Sequence, residues 1–340
     1  MIWLSWRQLR AQAAVATAAV LALAVLAALT GPRLADLART SMSVFDRLTA
    51  TDTTLFYAGV VLMALAPALV GAFLGAPLVA RELEAGTYRL VWSQSVTRSR
   101  WLASKLALTV GAAALVTGAA SLAVTCWSTP LDGAVSQTRG GLPGHLTPVT
   151  FAMRGIVPVG YAVFAVVLGA ATGTLLRRTL PAMAITLALY AAVQIAVPIW
   201  VRPHLLPPVS SSIAFNRSTF DGLSLDGSGQ NQLSVHTGNR GDWVLVNETV
   251  GQDGRPTALP AWFRDCLPAP SAPATGTEHA AAGSIDDCLA RLTEAGYRQR
   301  VVYQPADRFW PLQWVETALY IAASVALAVG CFWRVRRRLT

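Results

Sequence analysis

One acidic residue, four arginines and a Gly-Thr pair, set along a polar connector between two apolar runs, are the groups in this sequence best suited to chemistry with a partner. They are Arg81, Glu82, Gly86, Thr87, Arg89, Arg98 and Arg100, joined by the apolar Leu90, within VARELEAGTYRLVWSQSVTRSRWLASK from Val79 to Lys105. Guanidinium and carboxylate groups on a short connector offer ion pairs and charge-assisted hydrogen bonds, which is the chemistry of docking. Gly86 suits the left-handed residue that ends a helix, and Thr87 can cap a new one. The spacing of Leu90, Val91 and Trp92 predicts a short amphipathic helix from Tyr88 to about Gln94, with Ser95 or Thr97 capping the next membrane helix. Lys105 reads as a lysine that snorkels to the headgroups.

Other reactive groups are sparse. Glu316 and Gln194 are polar residues inside long apolar runs and are the candidates for a transport pathway. An intramembrane carboxylate faces a cavity or a partner by default, although Glu316 could equally be an interfacial residue hydrogen-bonded beside Trp310 and Trp314. Ser234, His236 and Asp242 contain the residue types of a hydrolytic triad, but such polar neighbours are common in loops. The sequence has no G-x-x-x-x-G-K-[ST] phosphate loop. It therefore reads as no enzyme and as holding no cofactor, and energy from nucleotide hydrolysis would come from a separate subunit. No zinc spacing is present.

The elements that position these groups are set by composition. With 54% hydrophobic and 13% charged residues in 340, the chain is too apolar for one soluble domain. The reading is an all-α polytopic membrane protein. Six apolar segments approach the length that spans a bilayer: Gln12–Thr30, Leu55–Ala80, Leu106–Trp127, Gly155–Leu176, Leu180–Val201 and Pro311–Trp333. Placing both termini in the cytoplasm puts the compact basic clusters inside, among them Arg177-Arg178 and the Arg334–Arg338 tail. The net charge of +9 then reflects the positive-inside rule, with no nucleic-acid partner. Residues 1–10, with Ile2, Trp3, Trp6 and Leu9 opposite Arg7 and Arg10, read as an amphipathic helix on the inner surface. Residues 11–201 hold spans one to five with the connector 81–105, and Gly31 to Thr54 reads as an outer loop, with an interfacial helix as the alternative. The pairs Gly71/Gly75 and Gly169/Gly173 permit close helix packing, and Pro67 and Pro158 can bend their helices.

At Arg202 the apolar pattern stops, and residues 202–309 read as a mixed α/β extracytoplasmic insertion between spans five and six. It shows strand-like runs at Asp242–Val250 and Arg300–Tyr303, a Pro/Ala linker from Leu267 to Gly276, and a helix capped by Ser284 with Asp287 and ended by Gly296. Cys266 and Cys288 bracket the linker and are the candidate disulfide, with two free thiols as the alternative. Residues 310–340 are the sixth span and a basic tail.

The connector resembles that of ABC-type exporter permeases of the type 2 membrane-spanning family, in their actinobacterial group. Glu82, Gly86-Thr87, Leu90, the Ser-x-x-Val-Thr-Arg turn from Ser93 to Arg98, Arg100 and Lys105 carry the resemblance. The run GYRQRVVYQPADRFWPLQWVE from Gly296 to Glu316 adds to it. The resemblance implies that the short helix is a coupling helix gripped by an ATP-binding subunit, which would hold ATP and Mg. It also implies a second permease chain, identical or related, and a multi-pass protein of the bacterial plasma membrane working as an exporter. Two other classes compete: a membrane-anchored sensor that uses the outer domain, and a proton-coupled secondary transporter that uses Glu316.

Overall fold

A chain segment crossing hydrocarbon must satisfy its backbone groups internally, so apolar runs of this length fold as helices. The computed structural model describes residues 2–40, 49–86, 97–137, 143–225, 231–266 and 278–337. Its helices are α1 (Ile2–Thr40), α2 (Ala50–Val70), α3 (Ala76–Glu84), α4 (Arg98–Gln137), α5 (Pro148–Phe151), α6 (Val157–Leu176), α7 (Thr179–Ala196) and α8 (Arg202–Leu205), then α9 (Glu278–Glu294) and α10 (Phe309–Arg337). Six stretches within them are long and apolar enough to cross a membrane: Thr17–Leu37, Ala50–Glu84, Arg98–Gly133, Val157–Leu176, Thr179–Leu205 and Ala306–Arg337. The chain divides into two compact units, one made of Met1–Ala134, Thr147–Leu206 and Arg308–Thr340, the other of Val135–Leu146 and Pro207–Asp307.

In the helical unit, α6 is the centre. Its apolar window is 78% buried, against at most 33% for any other span. The cause is glycine. Single π-helical turns, Gly71–Gly75 and Val197–Val201, join α2 to α3 and α7 to α8. Along α6 and the first of these turns the backbones nearly touch: a Cβ added to Gly169 would lie 2.3 Å from the Gly71 carbonyl oxygen, and one on Gly75 would lie 2.6 Å from that of Val166. The two small-residue pairs are thus each other's partner within one chain. The remaining faces of α6 pack Val166, Val167 and Ala170 near Leu106 and Ala113 of α4, while Thr172 and Thr186 join their hydroxyls across α6 and α7 at 2.6 Å.

The ends of the spans are fastened by side chains. Thr49 and Asp52 form a capping box at the start of α2, with the Thr49 amide donating to Asp52 Oδ2 at 2.9 Å. The start of α6 is held by Gln313 of α10, which is fully buried. Its Oε1 accepts from the amides of Ile156 and Val157 at 3.0 and 2.8 Å, and its Nε2 donates to the carbonyls of Phe151 and Arg154 at 3.2 and 3.1 Å. Every hydrogen-bonding position of the amide is filled. Gly155 beside it has φ +77, and an added Cβ would sit 2.6 Å from Gln313 Oε1.

The second unit holds strands β1 (Val209–Ile213), β2 (Phe220–Leu225), β3 (Asn231–Val235), β4 (Trp243–Val250) and β5 (Arg298–Gln304). β5 is the middle of an antiparallel sheet ordered β1-β5-β4, and β2 pairs with β3. The fully buried Gln299 links the two sheets, donating to the Leu233 carbonyl and to Asn247 Oδ1, each at 2.7 Å. Phe215, Leu233, Phe263, Leu289 and Leu292 form the core beside a disulfide between Cys266 and Cys288, whose Cα atoms are 6.3 Å apart.

Several expectations are corrected. Gly31 does not open a loop, because α1 continues through Pro32 to Thr40. Pro158 stands in the first turn of α6, where its missing N–H costs nothing, and bends no helix. Ser284 does not start a helix but lies inside α9, which begins at Glu278. The linker Leu267–Gly276 lies outside the described residues.

The packing of α6 makes a direct prediction. Gly169→Leu should destabilise the chain by about 3 kcal/mol, the upper range for overpacking, and lower the thermal unfolding midpoint in detergent. Gly111→Leu, where an added Cβ meets no atom within 4 Å, should leave that midpoint nearly unchanged.

Candidate functional site

The connector between α3 and α4 is framed by Gly86 and Thr97. Gly86 takes the left-handed conformation, φ +69, and ends the helix one residue beyond Ala85. At the other side Thr97 Oγ1 accepts from the Arg100 amide at 3.4 Å and caps α4. Glu82, four residues before Gly86, pairs with Lys105 of α4, so the helices on either side of the connector are tied together. Lys105 is buried, with its ammonium 5.1 Å from the centre of the Trp101 ring. The expectation that it snorkels to the headgroups is corrected: a carboxylate within reach offers it more than a longer path to water. Glu84 Oε2 accepts from the amide and hydroxyl of Thr179 at 2.9 and 2.7 Å and thereby joins α3 to the start of α7. Arg81 and Arg100 are exposed at this end of the bundle, and Arg98 is half-buried. Thr87, Arg89, Leu90 and the short helix expected from Tyr88 lie outside the described residues.

The second cluster stands at the far end of the fifth span. Arg202 opens α8, directly after the π turn, and its side chain is fully buried, as is that of Glu316 on α10. Arg202 Nε donates to Glu316 Oε2 at 2.7 Å and its Nη2 to Oε1 at 2.9 Å, a bidentate pair. Nη2 also donates to the Tyr161 hydroxyl at 3.1 Å, Nη1 to the Pro148 carbonyl at 3.3 Å, and the guanidinium lies 4.3 Å from the centre of the Phe151 ring. Tyr161 in turn donates to Glu316 Oε1 at 2.5 Å. Spans four, five and six and the short helix α5 therefore share one charged knot. Glu316 is buried and paired, and is not the interfacial residue beside Trp310 and Trp314.

Gln194 sits next to this knot through the tyrosines. Its Nε2 donates to the Tyr190 hydroxyl at 2.8 Å and its Oε1 accepts from Tyr320 at 2.7 Å, while the Tyr161 and Tyr320 rings meet edge to face at 4.7 Å. The structure thus gathers Gln194 and Glu316 into one polar strip. Sequence reasoning missed its main member, Arg202, which it placed at the start of the outer insertion. The signal was available in the lone carboxylate of the last span, since a charge at that depth needs a cation. A second ion pair, half-buried, was also missed: Arg154 donates to both Asp132 oxygens at 2.8 and 3.1 Å and to Ser128 Oγ at 2.8 Å, joining α4 to the segment before α6.

The triad residue types do not assemble. Ser234 Oγ accepts from Asn247, His236 lies against Arg240 and Asp221, and Asp242 accepts from Thr237 Oγ1 and from the Ala306 amide.

A bundle with six membrane-competent helices, and a small sheet-containing unit after the fifth, defines a multi-pass membrane protein. More narrowly, the chain belongs to the ABC-2 membrane transporter related family, whose model matches residues 8–202. That match runs from α1 to Arg202 and includes the whole connector between α3 and α4. No curated protein and no solved structure matches the chain.

Removing one side of the buried knot leaves a charge stranded. Arg202→Met or Glu316→Leu alone should cost about 3–5 kcal/mol, and the double variant should recover most of that loss. Thermal unfolding of the four proteins in detergent, treated as a double-mutant cycle, measures the coupling directly.

Proposed function

We propose that the chain is the membrane-spanning permease subunit of an ATP-driven ABC exporter. The observation that carries this reading is the family match across the connector between α3 and α4. A separate ATP-binding subunit, holding ATP and Mg, grips the segment between Gly86 and Thr97 from the cytoplasm. Arg81, Arg89, Arg98 and Arg100 supply its charged contacts, and the Glu82–Lys105 tie passes the movement into α3 and α4 together. A second permease chain, identical or related, completes the complex in a bacterial plasma membrane. Both termini are cytoplasmic, and the stretch Pro207–Asp307 between spans five and six is extracytoplasmic. The permease does no covalent chemistry of its own. The fully buried pairing of Glu316 with Arg202 argues against its use as the titrating group of a proton-coupled transporter, and the family match favours transport over a sensor.

The test is affinity purification of the intact chain from its native membrane, with identification of the proteins that accompany it. Arg81→Glu with Arg100→Glu reverses two exposed charges without touching the Glu82–Lys105 pair. An ATP-binding subunit should accompany the intact chain and be recovered about tenfold less with the variant, the effect of roughly 1.4 kcal/mol. Absence of any ATPase from the intact chain, under conditions that preserve transporter complexes, would overturn the reading.

A further inference from the structure

We propose that the cleft between the first three spans binds a glycerophospholipid, one acyl chain lying in the cleft and the phosphate diester held by Arg33. The cleft is bounded by α1, α2 and α4, with Met153 closing its floor. Phe56, Val124 and Met153 at the floor are 1–5% exposed, whereas Leu26 on the rim is 45% exposed. The walls hold two polar side chains, Thr30 and Trp127, and these bond to each other: Trp127 Nε1 donates to Thr30 Oγ1 at 2.8 Å, and Thr30 Oγ1 donates to the Leu26 carbonyl at 2.7 Å. The lining therefore suits a hydrocarbon chain.

The cleft is open at Gly59. A Cβ built on Gly59, which lines the cleft, meets no atom within 4 Å, in contrast to the crowded glycines of the α6 contact. From Thr30 to Leu23 the cleft descends about 10 Å along α1 at 1.5 Å per residue, the depth of the upper half of an acyl chain. Arg33 stands one turn beyond Thr30, on the same face of α1, where a headgroup would lie. Its side chain is 53% exposed, and its guanidinium is 3.7 Å from Asp52 Oδ2. That same carboxylate oxygen accepts from the Thr49 amide and hydroxyl at 2.9 and 2.7 Å. At 3.7 Å the Arg33–Asp52 contact is an ion pair with no hydrogen bond, so the N–H donors of the exposed guanidinium remain for a phosphate.

The experiment uses the full chain in micelles of an alkyl maltoside, which carries no phosphate, with a trace of phosphatidylglycerol bearing a photoactivatable diazirine in its acyl chain. A diacylglycerol carrying the same chain is run in parallel, and labelled residues are located by mass spectrometry. Labelling should concentrate on the Leu23–Thr30, Leu55–Gly59 and Val124–Trp127 peptides, well above the exposed face of α7 around Leu189 and Ile199. Gly59→Leu, which fills the cleft, should abolish that excess for both probes. Arg33→Gln should lower cleft labelling by phosphatidylglycerol about fivefold, the equivalent of the ~1 kcal/mol a basic residue contributes near a charged membrane surface, and leave the diacylglycerol result unchanged. Equal labelling of the cleft and of α7 would mean annular lipid only and would overturn the proposal. Cleft labelling by phosphatidylglycerol that ignores Arg33→Gln would overturn the headgroup assignment, and this variant decides that point even if Gly59→Leu is not recovered folded.

Discussion

A guanidinium and a carboxylate, both without solvent exposure, meet at one end of three spans, and the arrangement of the bundle depends on how that pair is satisfied. Two charges taken from water lose several kcal/mol each, and their mutual attraction repays this only if the remaining donors and acceptors are filled. Arg202 and Glu316 meet that condition by recruiting Tyr161 from α6 and the Pro148 carbonyl from α5. The last two spans are thereby fixed to the central helix at one end. At the start of α6 the amide of Gln313 adds a second fastening, with all of its hydrogen-bonding positions used.

Along its length α6 is held differently. Glycines bring its backbone against the π turn of the second span, so contact there comes from close packing and not from polar bonds. Single π turns inside α-helices are rare and recur at functional sites. The two π turns, Gly71–Gly75 and Val197–Val201, lie in the second and fifth spans. The second span also carries, at its end, the carboxylates that tie it to α4 and α7. A push on the connector after Gly86 therefore acts on a helix that is anchored to its neighbours at its end and contains a π turn in its middle.

Much of this was legible in the sequence because bilayer thickness sets segment length. All six spans could be read from apolar runs, and the sheet-containing unit after the fifth from the loss of that pattern. The glycine pairs were legible as close-packing residues, but pairing one with the other required a fold, since spacing along one helix says nothing about which helix it meets. Glu316 stood out as a lone carboxylate, yet its partner is 114 residues away and looked like the first residue of a loop. Lys105 followed the same pattern: a lysine near a span end is read as snorkelling unless the carboxylate beside it in space is known. Local signals also misled. The Ser284 capping pattern lost to the helix-forming alanines that precede it, which carry α9 back to Glu278.

The central claim is that this chain is a permease moved by ATP hydrolysis in another subunit. The most direct test is the rate of ATP hydrolysis by the complex isolated with the chain and placed in vesicles, compared with the chain stripped of its partners. Vanadate-sensitive hydrolysis confined to the complex is the predicted result. Hydrolysis by the stripped chain, or none by the intact complex, would contradict the account.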